Sequence, residues 1–195
     1  KKAFDHIWHS AAIEAMEMQG VPLQAQALMA KLWQQSTIKA KLGMETSTAV
    51  PLQRGLPQGA PESPLIFTII VEMLLRRLEA SWREKGFGFS LDELRMMSVS
   101  YADDIILIGS SKAQLEQMLR DLVEAFGNVG LTFGAPKTHW TSMPAAPMEK
   151  IKVENCEVEW EATITFVGTI VDLTGSAAAA MQHRLNQVNK VYHKW

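Results

Sequence analysis

The chain has 195 residues, of which 47% are hydrophobic, which fits one folded domain with or without a short appendage and excludes an intrinsically disordered protein. Its 19 basic and 21 acidic residues give a formal net charge of −2, which excludes a strongly basic, free-standing nucleic-acid-binding domain. The single cysteine, Cys156, excludes an internal disulfide framework and an all-cysteine zinc site.

The first part of the chain predicts helices and short strands. Asp5 follows an apolar stretch and is expected to cap the first helix, which Gly20 ends before Pro22 opens the second. In chain order the predicted elements are the end of a buried strand at 2–4, helices at 7–20 and 22–35, and strands at 37–42 and 47–52.

The middle of the chain predicts an irregular loop, a long buried helix and a tight hairpin. The loop at 53–64 is rich in glycine and proline, and the helix that follows, from Pro64 to about Lys85, is apolar almost all round. Its longest apolar run, Pro64–Val71, is too short to cross a bilayer, so we expect no membrane partner. The later predicted elements are hairpin strands at 96–101 and 105–109, a helix at 111–126, strands at 131–133, 139–142, 151–154, 157–159 and 163–171, and a helix from 176.

Two adjacent carboxylates, Asp103 and Asp104, lie at the predicted hairpin tip. Neighbouring carboxylates repel each other unless a cation neutralises them, and oxygen ligands of this kind suit Mg²⁺ or Mn²⁺. The alternative is structural, because aspartate favours turns whether or not a metal binds.

Five motifs of the chain, read together and in order, resemble those of reverse transcriptases. They are Lys2-Ala3-Phe4-Asp5, the segment Arg54–Phe67 with its Leu-Pro-Gln-Gly core, Tyr101-Ala102-Asp103-Asp104, Gly130-Leu131-Thr132-Phe133 with Lys137-Thr138, and Phe166-Val167-Gly168. The first motif and the helix after it are most similar to the non-LTR, LINE-type retrotransposon enzymes.

The resemblance implies an α+β polymerase palm, an antiparallel sheet backed by helices, with the fingers and thumb largely missing. Residues 1–175 would form the palm, truncated at its N-terminus, and 176–195 a helix that leads toward a thumb. The implied reaction is DNA synthesis on an RNA template, with two Mg²⁺ or Mn²⁺ ions at the primer hydroxyl and the leaving pyrophosphate. The implied partners are an RNA template, a DNA primer and deoxynucleoside triphosphates inside the cell, and the oligomeric state is left open.

The resemblance also implies roles for the acidic hairpin and for the lysine motif. Asp103 and Asp104 match the metal-binding aspartates of the family's catalytic hairpin. Lys137 matches the proposed general acid for pyrophosphate, and its alternative is an ordinary solvated lysine.

The remaining motifs match positions that contact the nucleotide or the primer. Ala3 matches the residue whose backbone amide meets the triphosphate, and Phe4 matches the steric gate that excludes a 2′-hydroxyl, its alternative being a core phenylalanine. Gln58 and Gly59 match the loop that positions the incoming nucleotide against the template base. The segment Phe166–Gly168 is similar to the primer grip.

The family's first metal-binding aspartate precedes the Lys-Ala-Phe-Asp motif, which would place it upstream of Lys1. We therefore expect the chain to be a fragment that is inactive alone, with Asp5 as a helix cap rather than a metal ligand. The alternative function is a decayed or domesticated palm that acts as a nucleic-acid-binding or scaffold module. The intact Asp103-Asp104 and Gln58-Gly59 pairs favour descent from an active enzyme.

Overall fold

A computed structural model of the protein describes residues 3–146, 149–154, 156–173 and 177–192. The described ranges contain five α-helices and two 3-10 helices. The α-helices are α1 (His9–Met18), α2 (Leu23–Gln35), α3 (Ser63–Glu84), α4 (Lys112–Asn128) and α5 (Ala178–Tyr192), and the 3-10 helices are Ala3–Asp5 and Ala135–Lys137.

Twelve short strands lie in the same described ranges and pair as antiparallel ladders of two strands each. The pairs are β1 (Thr37–Ile38) with β4 (Val50–Pro51), β2 (Lys41–Leu42) with β3 (Glu45–Thr46), β5 (Phe89–Leu91) with β6 (Leu94–Met96), β7 (Ser98–Tyr101) with β8 (Asp104–Leu107), β9 (Ile151–Val153) with β10 (Cys156–Val158), and β11 (Thr163–Phe166) with β12 (Thr169–Asp172). The mixed helix-and-strand class is confirmed. The antiparallel sheet that the resemblance implies is present in the described residues only as separate two-stranded ladders, because strands of two to four residues offer few backbone groups to a third strand.

One compact unit consists of Lys1–Ser81 and Leu122–Phe133. Helices α1 and α2 contact each other, and α1 buries Ala11, Ala12, Ala15 and Met16. Removing these apolar side chains from water stabilises the unit. Its largest fully buried side chains are Ile7, Trp33, Leu56, Ile70 and Met73. Arg77 of α3 forms an ion pair with Glu14 of α1, with 2.7 Å between Nη2 and Oε1.

The other compact unit consists of Trp82–Asp121 and Gly134–Trp195. Its fully buried core includes Trp82, whose indole Nε1–H donates a hydrogen bond to Oδ2 of Asp121 at 2.9 Å. The same carboxylate accepts a second hydrogen bond from Gln117 at 2.6 Å. A buried indole thus keeps its polar atom satisfied while its ring fills the core.

The two helices with the clearest sequence signals are confirmed. Helix α3 begins at Ser63, whose buried hydroxyl donates to the carbonyl of Pro57, and Gly86 follows its end. Helix α4 begins after Ser111, whose hydroxyl accepts a hydrogen bond from the backbone N–H of Gln114 at 3.3 Å, as expected of an N-cap. Within the described ranges, no helix combines the length and the apolarity that crossing a membrane requires.

The strand predicted at 2–4 is wrong over Ala3 and Phe4, and Lys2 lies outside the described residues. The carbonyl of Ala3 accepts from His6 in a 3-10 turn, and the carbonyl of Phe4 accepts from the backbone N–H of Leu56. Both backbone groups are therefore satisfied by a turn and a loop rather than by a neighbouring strand. Asp5 is also not a helix cap, because α1 begins at His9 and its N-cap position is Trp8.

Several short strand predictions need correction. Residues 131–133 are not a strand, because the N–H of Leu131 bonds back to Phe126 at the end of α4. In the segment 139–142, Trp140 forms only an isolated bridge with Trp160. The single strand predicted at 163–171 is the β11–β12 hairpin. The β5–β6 hairpin was missed, and the expected helix start at Ser176 lies outside the described residues.

Candidate functional site

The two adjacent carboxylates lie at the tip of the β7–β8 hairpin, as predicted. Tyr101 pairs with Asp104, so Ala102 and Asp103 form a two-residue loop. Ala102 has a positive φ of 52°, the conformation that such tight hairpin turns require at their first position. Both carboxylates are exposed, so they are open to a ligand from solvent.

The β11–β12 hairpin contacts this tip. Its two-residue turn, Val167 and Gly168, has positive φ at both positions, 50° and 71°. The backbone N–H of Val167 donates a hydrogen bond to Oδ2 of Asp104 at 3.3 Å, and β11 lies beside β8. The structure therefore brings together the second hairpin carboxylate and the segment that the sequence relates to the primer grip.

The two hairpin carboxylates fit part of the ligand set of a hard divalent ion. Among the residues that the structure describes, no group of three or more His, Cys, Asp and Glu side chains could hold a metal ion. Asp103 and Asp104 would thus supply two protein ligands. Mg²⁺ usually binds through one or two carboxylates and completes its shell with water and substrate phosphates, so the pair suits such an ion.

The 3-10 turn at 3–5 and the loop at 54–59 are joined through their backbones. The N–H of Leu56 donates to the carbonyl of Phe4 at 2.7 Å, and the N–H of Gly55 donates to the carbonyl of Ile7 at 2.8 Å. Gly55 has a φ of 93°, and a Cβ atom there would lie 2.8 Å from the backbone oxygen of Asp5. Only glycine allows this approach, so the sequence requires it at this position.

The turn holds Phe4 and Ala3 half-buried. The ring of Phe4 stacks on the buried ring of Phe67 in α3, with 4.8 Å between centroids and an interplanar angle of 28°. The Phe4 ring is thus packed against the core, while the residue as a whole stays half-buried. This placement is compatible with both interpretations of Phe4, as a gate and as a core residue.

The loop presents Gln58 and Gly59 at the surface. Nε2 of Gln58 donates a hydrogen bond to Oδ1 of Asp5 at 2.8 Å. Gly59 has a φ of 90°, and no atom would lie within 4 Å of a Cβ added there, so its backbone is open on that side. These two motif positions are therefore brought together with the 3-10 turn.

Lys137 ends the 3-10 helix Ala135–Lys137, which packs beside β10, and its side chain is exposed. Within the described part of the chain, no hydrogen bond or ion pair joins Lys137 to Asp103 or Asp104. Its predicted role as a general acid stays a prediction.

Two residues near the loop were missed by sequence reasoning. Asp5 binds Gln58, although its position after an apolar stretch indicated a helix cap. His9 places Nε2 2.9 Å from the carbonyl oxygen of Gly55 and stacks on Trp33 at 4.9 Å between centroids. Neither contact has a sequence signal, because the partners are distant along the chain.

Comparison with known proteins covers the segments that carry these motifs. The sequence profile of the family described as "Reverse transcriptase (RNA-dependent DNA polymerase)" matches residues 1–171. Two similar relatives are the Pol polyproteins of R2 retrotransposable elements from Nasonia vitripennis, 26% identical over 79% of this chain, and from Popillia japonica, 25% identical over 91%. A protein of the type-1 retrotransposable element R1DM from Drosophila melanogaster is 31% identical over 71% of this chain.

These relatives are non-LTR retrotransposon proteins, which confirms the resemblance read from the motifs. The chain spans 15%, 26% and 12% of their respective lengths. The profile covers nearly the whole chain, including the acidic hairpin, the Gln58 loop and the β11 segment. The chain therefore belongs to the reverse transcriptase family, and the relatives it is similar to are proteins of non-LTR retrotransposons.

Proposed function

We propose that this chain forms the catalytic palm of an RNA-directed DNA polymerase from a non-LTR retrotransposon. The observation that carries the proposal is the exposed Asp103-Asp104 pair at a two-residue hairpin tip, with Asp104 hydrogen-bonded to the Val167 turn. The β7–β8 hairpin and the Val167 turn lie within the part of the chain that the family profile matches.

Asp103 and Asp104 hold divalent cations in this proposal, with Asp103 as the principal ligand. Its carboxylate is in the loop and makes no hydrogen bond in the described residues, whereas one oxygen of Asp104 accepts the Val167 N–H. When bound there, as a pair in the complete enzyme, Mg²⁺ or Mn²⁺ would supply positive charge for the attacking primer oxygen and the leaving pyrophosphate.

The remaining motif residues bind and orient the substrates. Gln58 and Gly59, with the backbone of Ala3, receive the deoxynucleoside triphosphate, and the exposed part of the Phe4 ring excludes a ribose 2′-hydroxyl. The Phe166–Gly168 turn supports the primer end beside Asp104. Lys137 donates a proton to pyrophosphate.

The partners of the complete protein are an RNA template, a DNA primer and deoxynucleoside triphosphates, all of which place its reaction inside the cell. The chain spans less than a third of the length of each of the relatives named above. The test therefore uses the parent polypeptide that contains the chain.

The experiment measures primer extension on an RNA template with Mg²⁺ and, separately, Mn²⁺. Asp103→Asn is expected to lower extension at least about a hundredfold, because a neutral amide binds hard cations far more weakly than a carboxylate. Asp92→Asn is the matched control, since Asp92 is an exposed aspartate with positive φ in the β5–β6 turn.

The proposal fails if Asp103→Asn extends primers as well as the natural protein does. A parent that binds primer and template but extends nothing with either metal would instead favour a non-catalytic binding module. Equal losses of primer extension in the Asp103 and Asp92 variants would show that the loss comes from impaired folding.

A further inference from the structure

The side chain of Asp5 is hydrogen-bonded to Gln58, which lies in the loop at 54–59. The residue lies in the 3-10 turn Ala3–Asp5, three positions before the N-cap Trp8 of α1, and its carboxylate accepts the Gln58 Nε2–H at 2.8 Å. This contact joins residues that are 53 positions apart. It is a charge-assisted hydrogen bond, the class that holds a partner most firmly.

The backbone fixes the distance between Asp5 and the loop independently of this bond. Hydrogen bonds from Leu56 to Phe4 and from Gly55 to Ile7 join the two segments, and the Cα of Gly55 lies against the backbone of Asp5. The backbone that carries the Asp5 carboxylate is therefore held in place relative to the loop. Gln58, in contrast, is an exposed side chain with three rotatable bonds, which would sample many rotamers without a partner.

The chemistry of the partner decides which end of the amide faces outward. An ionised carboxylate is only an acceptor, so it selects the NH₂ end of Gln58 and rejects the carbonyl end. The carbonyl oxygen Oε1 and the second N–H of Gln58 are then left for another group. In the described residues, Oε1 of Gln58 has no hydrogen-bond partner.

We propose that Asp5 is a positioning residue that orients Gln58, so that the amide presents its carbonyl oxygen and one N–H to the incoming nucleotide. This inference rests on the proposed polymerase function and names the residue that sets the geometry of the nucleotide-contacting loop. Asp5 itself touches neither the substrate nor the metal ions. Its effect is on binding of the nucleotide rather than on the bond-forming step.

The test is nucleotide titration of primer extension by the parent polypeptide with Asp5→Ala, Asp5→Asn, Gln58→Ala and the double Asp5→Ala/Gln58→Ala variant. Asp5→Ala is expected to raise the KM for deoxynucleotide about tenfold and to change kcat by less than about twofold, since lost orientation weakens binding. Asp5→Asn should restore most of the affinity, because its amide oxygen can accept the same N–H.

The double variant separates positioning from a general structural effect. Because Asp5 acts through Gln58, the double variant is expected to have the KM of Gln58→Ala alone. Glu14→Ala is the matched control, since it removes a carboxylate contact, with Arg77, of similar length in the same unit. It should leave the KM unchanged.

Three results would overturn the inference. The first is an unchanged KM for deoxynucleotide in Asp5→Ala. The second is a double variant in which the KM increases of the two single variants add. The third is a loss of kcat in Asp5→Ala that is as large as the loss in Asp103→Asn and that Asp5→Asn does not rescue. The last result would make Asp5 a metal ligand. In each of them the natural protein still extends primers and Asp103→Asn still does not. They therefore differ from failure of the polymerase proposal, in which the natural protein extends nothing or Asp103→Asn extends primers as well as it does.

Discussion

Phe4 stacks on a core ring and is half-buried. Its partner Phe67 is 2% exposed, so the stacked pair fixes the position of the Phe4 ring without enclosing it. A side chain that excludes a hydroxyl by its bulk needs this combination, because a mobile ring would move away and an enclosed ring would meet no substrate.

Removing the Phe4 ring is expected to relax sugar selection. In the parent polypeptide, Phe4→Ala should lower the preference for deoxyribonucleotides over ribonucleotides at least about tenfold, with a modest loss of deoxynucleotide use. The measurement is the ratio of kcat/KM for the two nucleotides. Ile70→Val is the control, because it weakens the core of the same unit and keeps both rings of the stacked pair. An unchanged ratio in Phe4→Ala would make Phe4 a core residue only.

Val167 adopts a backbone conformation that its side chain disfavours. A β-branched residue with φ near 50° is strained, and here it occupies the first position of a two-residue hairpin turn followed by Gly168. The side chain is exposed, so it gains little from packing. The turn directs the backbone N–H of Val167 toward the carboxylate of Asp104.

Val167→Asn is therefore expected to stabilise the protein, because Asn-Gly is the preferred sequence for a turn with two positive φ values. The free energy of unfolding should rise by about 1 kcal/mol, measured by chemical denaturation of the 195-residue chain. Thr165→Asn, at an exposed position of β11 with ordinary strand geometry, should lower stability slightly. A loss of stability in Val167→Asn would contradict the strain argument.

At the level of the element, the two faces of the β9–β10 hairpin make different stabilising contacts. In the β9–β10 hairpin, Ile151, Val153 and Val158 are buried, and the opposite face is charged. On that face Nζ of Lys150 lies 2.7 Å from Oε1 of Glu159 and 3.0 Å from Oε2 of Glu157. Hydrogen bonds and charge attraction from Glu159 and Glu157 raise the pKa of Lys150, and Lys150 in turn lowers the pKa of Glu157.

These shifts predict the pH dependence of the charged face. The lowered pKa of Glu157 gives a stabilising contribution that is present above its ordinary value of 4.5 and is lost as the pH falls through the folded value. The raised pKa of Lys150 gives a contribution that is present below 10.5 and is lost as the pH rises through its folded value. Because the groups are exposed, the effect on global stability is small and weakens with salt.

The measurement is an NMR titration of the Glu157 carboxyl group. In Lys150→Met its pKa should rise toward the ordinary value, because its main partner is gone. Lys152→Met is the control, since Nζ of Lys152 lies 3.9 Å from Oε1 of Glu157 and lowers the pKa of Glu157 less than Lys150 does. A Glu157 titration that does not respond to Lys150→Met would show that the pair does not persist in solution.

Elements with strong local signals were predictable. Helices α3 and α4 have long apolar stripes, and α4 also has a serine cap, so their periodicity specifies them without tertiary information. The weakest predictions were the short strands. Residues 131–133 have strand-forming side chains, but Leu131 bonds back to the end of α4, a local capping interaction that prevails over propensity.

At the level of the whole molecule, two compact units each bury an apolar core that the hydrophobic content of the sequence made possible. Net charge predicted the absence of a strongly basic domain, and the motif order predicted the family. The pairing of the strands in separate two-stranded ladders did not follow from either property, because strand pairing depends on which backbone groups meet in space.

The sequence by itself determined the helices, the acidic hairpin tip and membership of the reverse transcriptase family, because each depends on residues that are close together or on motifs in a fixed order. Only the tertiary structure decided the partners of the motif residues. Asp5 and Gln58 are separated by 53 positions, and Asp104 and Val167 by 63. A hydrogen bond needs two groups within about 3 Å, and folding alone brings such distant residues to that distance.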